Sequence, residues 1–436
     1  MFYSEIFGGL AIFLNFIILL YILILYFFRK LKFNFVSQAV RRKLEEKEKK
    51  RVAIVLSGGG ARGAYEVGVL KYLFTEFQKE TGIFPEFHIL CGTSVGAIHI
   101  AFLASYITRM TENIRLLESI WKGLTMDTFM KIDILSIPKI FFGVRGEKRE
   151  NVALFDVSFL NEIISKGINW ELIRRNIFEG ILHSVCIFTT HISSGMTVAF
   201  IDSAEIISEW KRDPFMTFRQ VAIRPEYVIA SAAIPIIFPA VNIDGEWYCD
   251  GGVRLNTPLS PAIRLGADKI FSVVLRYYEP SIKKEREEVY PNFFYLVGKI
   301  FNALFIDRVA YDLSRLEVIN HLISTTRKFI SDEEFEKINQ EIFNFRGYYL
   351  KCVDTILVKP SEDIAKLAYE SARKYARFPS TRNKAFVKLL LELSPKVDSD
   401  FISYIFFDPS YSSELIELGY SDAKKMADDI YNFFVS

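Results

Sequence analysis

The chain has 436 residues, half of them apolar, which is enough for one large decorated domain or for two to three average domains. Its formal net charge of +2 excludes a nucleic-acid binder that relies on bulk positive charge. Four scattered cysteines, without C-x-x-C or metal-type spacing, favour reduced core thiols over a disulfide framework.

Residues 6–28 contain no charged residue. As a helix this stretch would be about 34 Å long, which is enough to cross a hydrocarbon core of about 30 Å. A cleaved signal peptide is the alternative, but no Lys or Arg precedes the stretch, it is too long, and no small-residue cleavage site follows. The sequence therefore predicts one membrane anchor within residues 1–28, followed by a basic linker over residues 29–50.

The positive charge is concentrated just after the predicted anchor. Residues 29–51 hold 10 Lys or Arg and 3 Glu, a local net charge of +7, whereas residues 52–436 carry −4. The positive-inside rule then predicts a single-pass membrane protein with everything after the anchor on the cytoplasmic side. The basic segment can rest on anionic headgroups, at about 1 kcal/mol per basic residue near the surface, or form a solvated helical linker.

From residue 51 onward, apolar strand patterns alternate with helical periodicity. The first four predicted elements are a strand over residues 51–57, a helix over 64–79, a strand over 86–92 and a helix over 95–108. This order implies a parallel sheet with right-handed crossovers. Further strands are predicted over residues 184–193, 196–201, 268–275 and 354–360, and helices over 292–344. We expect one α/β core over residues 51–280 and a mostly helical extension over 281–436 that packs on it.

The first predicted strand ends in the sequence SGGGARG. Gly58, Gly60 and Gly63 have the spacing of a G-x-G-x-x-G dinucleotide fingerprint. Alternatively, the exposed amides of Gly58, Gly59 and Gly60 could hold the negative oxygen of a reaction intermediate.

The second strand-to-helix junction reads CGTSVGA. Gly92, Ser94 and Gly96 form a G-x-S-x-G motif where a nucleophile elbow would require it, between a strand and a helix. A dinucleotide site would instead need an acidic residue at the end of this strand, where Cys91 and Gly92 stand. No G-K-[ST] follows the first glycine loop, so a P-loop is excluded as well. The sequence therefore favours an oxyanion hole over a nucleotide or other cofactor site.

A serine nucleophile needs a base, and the histidines offer no local candidate. His99 lies about 140° around the helix from Ser94, His88 lies within the preceding strand, and the other three show no motif. Asp250 lies at the end of a predicted strand, before Gly251 and Gly252. Asp-Gly is typical of a turn, but a buried Asp can also accept a serine proton if burial raises its pKa. Both interpretations of Asp250 stay open.

Three separated blocks resemble the patatin-like phospholipase family: SGGGARGAYEVGVLKYL, CGTSVGAI and SAAIPIIFPAVNIDGEWYCDGGVRLNTPL. The resemblance covers about residues 51–274 and implies a three-layer α/β/α fold with a mainly parallel central sheet. It also implies a Ser-Asp dyad, with Ser94 as nucleophile and Asp250 as base. The glycine loop would supply the oxyanion hole, and Arg62 would brace that loop. The other motif residues implied are Gly63, Gly92, Gly96, Gly251 and Gly252.

The expected activity is hydrolysis of ester-linked fatty acids through an acyl-enzyme, with no metal ion. The expected substrate is a membrane glycerolipid or lysophospholipid. A transacylase that uses the same dyad, and a non-catalytic membrane scaffold with a relic site, are the alternatives. The apolar segments 137–143 and 213–218 are expected to be core or, alternatively, to contact lipid.

Overall fold

The computed structural model describes residues 50–129, 131–132, 155–156, 158–235, 237–277, 309–375, 387–388, 391 and 400–436. The chain divides after Lys50, and the unit from Arg51 to Ser436 is described below. The predicted anchor lies outside the described residues, so the membrane span stays a prediction. Within the described ranges, no helix combines the length and the apolar character that crossing a bilayer requires.

Short apolar runs form the strands. The described strands are β1 (Val52–Leu56), β2 (Ile89–Thr93), β3 (Lys131–Ile132), β4 (Phe155–Asp156), β5 (Ser184–His191), β6 (Thr197–Ser203), β7 (Met216–Gln220), β8 (Val241–Ile243), β9 (Glu246–Asp250), β10 (Lys269–Val273) and β11 (Asp354–Val358). Strands β3 and β4 pair with each other, and the other nine form one central sheet.

The main path of the central sheet runs in the order β11-β10-β1-β2-β5-β6-β7. Its pairings from β11 through to β5, and the pairing of β6 with β7, are parallel. Strand β6 pairs antiparallel with β5, because the two are joined by a tight hairpin. The predicted α/β class with a mainly parallel central sheet is confirmed. Strand β11 extends this sheet beyond residue 280.

Strand β5 has two partners along one edge. Its first five residues pair with β2, ending in the pair Thr93–Phe188. Its last three residues pair antiparallel with β9, beginning with the pair Asp250–Thr189. Since β6 occupies the opposite edge throughout, the ends of β2 and β9 meet side by side on β5. The residue after β2 and the last residue of β9 are thereby placed next to each other.

Helices cover both faces of the sheet. The described α-helices are α1 (Ala64–Tyr72), α2 (Gln78–Thr81), α3 (Val95–Tyr106), α4 (Met110–Gly123), α5 (Met126–Phe129), α6 (Ser158–Gly167), α7 (Trp170–Phe178), α8 (Pro225–Ser231), α9 (Leu259–Arg264), α10 (Val309–Thr326), α11 (Asp332–Arg346), α12 (Ile364–Tyr375), α13 (Asp400–Ile405), α14 (Pro409–Lys425) and α15 (Ala427–Val435). A π-helical turn, Leu73–Phe77, joins α1 to α2.

Two apolar cores result from the alternation of side chains along the strands. Ile54 and Leu56 of β1 face the larger core, which includes residues of α1, α3, α4 and α14. Ala53 and Val55 face the smaller core, which includes residues of α9 and α10. A strand buried on both faces reads as a continuous apolar run, which is why β1 was recognisable from the sequence.

The first four predicted elements lie where the sequence indicated, with ends that differ by a few residues. The strands predicted over residues 184–193, 196–201, 268–275 and 354–360 are β5, β6, β10 and β11. Residues 309–326 and 332–346 of the predicted helical region are helical, and residues 292–308 lie outside the described residues. Strands β7 and β8 were not predicted, because they are short and half-exposed.

Helix α14 packs closely on α1 through two glycines. A Cβ atom on Gly68 would lie 2.0 Å from the carbonyl oxygen of Ile416, and one on Gly419 would lie 2.1 Å from that of Tyr65. The two helix backbones therefore approach more closely than any side chain would allow. At the same interface, the Tyr65 hydroxyl donates a hydrogen bond of 3.1 Å to Asp422. The C-terminal helices thus support the helix that follows the glycine loop.

We expect Gly419→Ala to destabilise the protein by about 1–3 kcal/mol, because the new methyl group would overlap a backbone carbonyl. Gly123→Ala is the matched control, since a Cβ there meets nothing within 4 Å. The control should change stability by no more than about 1 kcal/mol, in the stabilising direction. Thermal and urea unfolding monitored by circular dichroism measure both effects. Equal stability of the two variants would contradict the close packing of α14 on α1.

Candidate active site

Ser94 lies between β2 and α3 in a strained conformation. Its φ is 55° and its ψ is −124°, values that a non-glycine residue adopts at a cost of about 1–3 kcal/mol. The turn is possible because Gly92 and Gly96 carry no side chain: a Cβ on Gly92 would lie 2.4 Å from Gly96 O, and one on Gly96 would lie 2.4 Å from Leu56 O. The arrangement is that of a nucleophile elbow, with Ser94 at the N-terminus of α3.

A second serine holds the elbow in place. The Ser94 amide donates a hydrogen bond of 2.9 Å to Ser231 Oγ, and that hydroxyl donates one of 2.6 Å to the carbonyl oxygen of Phe188. Ser231 is the last residue of α8 and is fully buried. Because 137 residues separate it from Ser94, no local sequence signal pointed to this contact.

Asp250 contacts Ser94 directly. The Ser94 hydroxyl donates a hydrogen bond of 2.5 Å to Asp250 Oδ2, and the Gly252 amide donates one of 2.7 Å to Asp250 Oδ1. The Asp250 amide is bonded to Ala233 O and its carbonyl oxygen to the Thr190 hydroxyl. Both sequence interpretations therefore hold at once: one carboxylate oxygen caps the Gly251–Val253 turn and the other faces the serine.

The environment of the pair changes the acidity of Asp250. Its side chain is completely buried, and burial raises its pKa to about 7, against the opposing effect of the hydrogen bonds from Ser94 and Gly252. Ser94 is 3% exposed. A carboxylate with this pKa, at hydrogen-bond distance from a serine hydroxyl, can accept its proton near neutral pH.

The glycine loop lies beside Ser94, and its three backbone amides differ in whether they already make a hydrogen bond. The Gly58 amide donates a hydrogen bond of 3.2 Å to Asn256 O, so it is already engaged. Within the described part of the chain, no hydrogen bond uses the amides of Gly59 and Gly60. Gly60 has a φ of +55°, and a Cβ there would lie 2.2 Å from the carbonyl oxygen of Tyr404. Gly59 and Gly60 are therefore the amides that can serve an anion.

Arg62 anchors the glycine loop to the C-terminal helices. Its side chain is 3% exposed and donates hydrogen bonds to Ser403 Oγ at 2.8 Å, to the Tyr404 hydroxyl at 3.2 Å and to the carbonyl oxygen of Leu275 at 3.4 Å. The guanidinium also lies over the Tyr404 ring, 3.9 Å from its centroid. These contacts fit the bracing role that the sequence suggested. Ser403 and Tyr404 lie more than 300 residues from Arg62, so no local sequence pattern indicated that they would be its partners.

An apolar pocket of about 770 Å³, counted with the space that opens to solvent, is lined by Ser94 and Gly60. The rest of its wall comes mainly from aliphatic and aromatic side chains of α3, α4, α6, the segment after α8 and the loop after α13, among them Val95, Ile98, Phe102, Leu117, Ile164 and Phe407. Among the described residues that line this pocket, none has a charged side chain. A pocket of this kind suits an apolar chain attached to the group that Ser94 meets.

The remaining predicted residues support the backbone around the site. Gly63 ends the 3₁₀ turn after the glycine loop and lies against Val95 and Trp121. Gly251 passes the backbone of Phe188, where a Cβ would lie 2.2 Å from its carbonyl oxygen. Among the described residues, no group of three His, Cys, Asp or Glu side chains is arranged as metal ligands would be.

Of the two apolar segments considered for lipid contact, residues 137–143 lie outside the described residues. In the segment 213–218, Phe215 is 64% exposed whereas Met216 is buried. The segment is therefore partly core and partly surface.

Comparison with known proteins finds one matching family model. Residues 54–263 match the model of the family described as patatin-like phospholipase. The chain therefore contains a patatin-like phospholipase domain over these residues.

The chain also resembles one viral protein in sequence and aligns with one solved structure. The chain is 26% identical over 220 residues to an uncharacterized protein of Acanthamoeba polyphaga mimivirus, an alignment that covers 50% of this chain and 63% of the viral protein. The chain thus spans less than two thirds of that relative's length. The crystal structure of VipD from Legionella pneumophila aligns with 87% of this chain and 67% of VipD, at 12% identity and a TM-score of 0.33.

The raised pKa of Asp250 leads to a pH prediction that requires no knowledge of the substrate. If Asp250 is the base for Ser94, a fluorophosphonate should react with the Ser94 hydroxyl, and the reaction should be fast only while Asp250 is ionised. We expect the labelling rate to fall about tenfold per pH unit below pH 7 and to be constant above it. Mass spectrometry of the Ser94 peptide measures the rate. Asp250→Asn should label slowly at every pH, and a wild-type rate without a bend between pH 6 and 8 would contradict the pairing.

Proposed function

We propose that the protein is a membrane-anchored serine lipid acyl hydrolase of the phospholipase A or lysophospholipase type. One observation carries the proposal: the Ser94 hydroxyl bonds to a buried Asp250 at 2.5 Å, and Ser94 also lines an apolar pocket. The first feature supports a nucleophile with its base. The second supports a fatty acyl chain as the bound part of the substrate.

In the first half-reaction, Ser94 Oγ attacks the ester carbonyl carbon while its proton passes to Asp250 Oδ2. The carbonyl oxygen becomes an oxyanion and accepts hydrogen bonds from the amides of Gly59 and Gly60, each worth about 3 kcal/mol in such sites. The intermediate collapses, the ester C–O bond breaks, and the departing alcohol takes the proton from Asp250. The acyl group is left on Ser94.

In the second half-reaction, a water molecule attacks the acyl-enzyme and gives a proton to Asp250. A second oxyanion forms in the same glycine loop, and its collapse releases the fatty acid. Ser94 Oγ recovers its proton from Asp250. The pKa of about 7 suits this double role, because the same carboxyl group must accept and return a proton at near-neutral pH.

The membrane anchor is supported by the sequence alone. Residues 6–28 are long and apolar enough to span a bilayer, and the basic residues 29–51 favour the cytoplasmic side for the catalytic unit. Such an anchor would hold the pocket near glycerolipid substrates and raise their effective concentration without new contacts.

We expect Ser94→Ala and Asp250→Asn each to reduce fatty acid release from a phospholipid or lysophospholipid by at least about 1000-fold, since the dyad acts as a unit. Asp244→Asn, an exposed site in the same β-hairpin, is the matched control and should retain full activity. Mass spectrometry of the products in heavy-oxygen water measures hydrolysis, because the released acid gains the heavy atom. Transfer of the acyl group to another lipid would favour the transacylase, and a folded wild type that neither labels nor turns over would favour the relic scaffold.

The anchor has its own test. The full-length protein should remain in membranes after an alkaline carbonate wash. Ile17→Lys combined with Leu20→Lys should release it, because each charge at a helix centre costs about 3 kcal/mol. Ile17→Leu with Leu20→Ile is the apolar control and should stay in the membrane. Retention of the double-lysine variant would contradict a span over residues 6–28.

A further inference from the structure

A chain of buried polar side chains lies behind the glycine loop, and the proposed mechanism does not use it. Glu66 of α1 and His99 of α3 are completely buried, and Trp121 of α4 is 5% exposed. Burying polar side chains costs free energy unless their hydrogen bonds are made. A buried network whose hydrogen bonds are made holds its members rigidly, which suggests a role for it at this place.

The direction of each hydrogen bond in this network is fixed. Trp121 Nε1 lies 2.9 Å from His99 Nε2, and an indole nitrogen can only donate, so His99 Nε2 carries no proton. The imidazole proton is then on Nδ1, which donates to Glu66 Oε2 at 2.6 Å. The other oxygen, Glu66 Oε1, accepts a hydrogen bond of 3.0 Å from the Ser57 amide. Both carboxyl oxygens of Glu66 therefore face donors.

Burial keeps the imidazole neutral. It lowers the pKa of His99 to about 3, so the ring carries no charge at working pH. Burial also raises the pKa of Glu66, and the hydrogen bond from the Ser57 amide opposes that rise. His99 is thus a neutral connector between an indole and a carboxyl group.

The two ends of this network touch the two halves of the site. Ser57 immediately precedes Gly58, and its hydroxyl is fixed by bonds to Val273 O at 2.9 Å and to Thr257 Oγ1 at 2.6 Å. At the other end, the Trp121 ring lines the apolar pocket and stacks with Phe407 at 6.0 Å between centroids. One unbroken set of hydrogen bonds thus joins the glycine loop to the pocket wall.

We propose that Glu66 and His99 are positioning residues that couple the apolar pocket to the glycine loop. An acyl chain that packs against Trp121 fixes the indole, and through His99 and Glu66 it fixes the Ser57 amide and the amides that follow. The loop is then best ordered for an oxyanion when the pocket is filled. The inference rests on the proposed function. It adds that the enzyme prefers long acyl chains, and that this preference appears as a higher kcat for long-chain esters.

Two variants cut the network at different points. Glu66→Gln keeps the shape but offers a single acceptor oxygen, so either the Ser57 amide or His99 Nδ1 must face an NH₂ group. Trp121→Phe keeps an aromatic ring, although a smaller one, in the pocket wall and removes the N–H donor. On a long-chain ester we expect each to lower kcat about 10-fold, as for a buried group left without its partner. On a short-chain ester that does not reach Trp121, kcat should fall by a smaller factor, so that the long-to-short kcat ratio falls.

The double variant distinguishes coupling from ordinary structural damage. If one network carries both effects, Glu66→Gln with Trp121→Phe should lower the long-to-short kcat ratio no further than the worse single variant. Glu112→Gln, at an exposed position of α4, is the control and should leave the ratio unchanged. Three results would each overturn the coupling. The losses of kcat ratio in the two single variants could multiply in the double variant, kcat could fall equally for long and short esters, or the ratio could stay unchanged in the single variants.

A second pair of variants covers the case in which Glu66→Gln does not fold. His99→Gln can still donate to Glu66 and accept from Trp121, whereas His99→Leu can do neither. We expect the glutamine variant to retain most of the long-chain preference and the leucine variant to lose it, and equal loss in both would overturn the proposal. A wild type that labels at Ser94 and cleaves short-chain esters separates failure of this coupling from failure of the hydrolase function.

Discussion

The geometry of the site depends on one pairing register, that of strand β5. The same edge of β5 pairs first with β2 and then, without a gap, with β9, so that Thr93 and Asp250 oppose neighbouring residues. Because side chains alternate along a strand, a slip of one residue in β9 would turn the Asp250 carboxyl group to the other face of the sheet. The 2.5 Å bond to Ser94 therefore follows from backbone pairing more than from any local preference.

The sequence was informative where local turn chemistry specifies the backbone. The elbow at Ser94 requires small residues on both sides, and the turn after Asp250 requires a side-chain acceptor and two glycines, so both left recognisable patterns. The contact between the two could not be derived from the residues, because the antiparallel pairing of β9 with β5 joins segments about 60 residues apart. From the sequence, only the family resemblance predicted that Ser94 and Asp250 form a pair.

The residues that hold the glycine loop in place were also only partly predictable from local sequence. Arg62 was recognisable as a loop arginine, but its partners Ser403 and Tyr404 belong to a C-terminal region without a motif. Glu66 did leave a trace: it stands four and seven residues before Leu70 and Leu73, on the apolar face of the predicted helix. An acid on such a face indicates a buried partner, and His99 could have been sought there.

The complete burial of Asp250 also has a consequence for folding. An unfolded Asp has a pKa of about 3.9, whereas in the native state the value is about 7, so the native state binds this proton more tightly. The contribution of Asp250 to the free energy of unfolding therefore falls by about 1.4 kcal/mol for each pH unit between pH 4 and 7, and is constant above that. The carboxylate form of Asp250, which the proposed mechanism requires, is thus the form that stabilises the native state less. Conditions that favour turnover and conditions that favour the native state thus lie on opposite sides of the same titration.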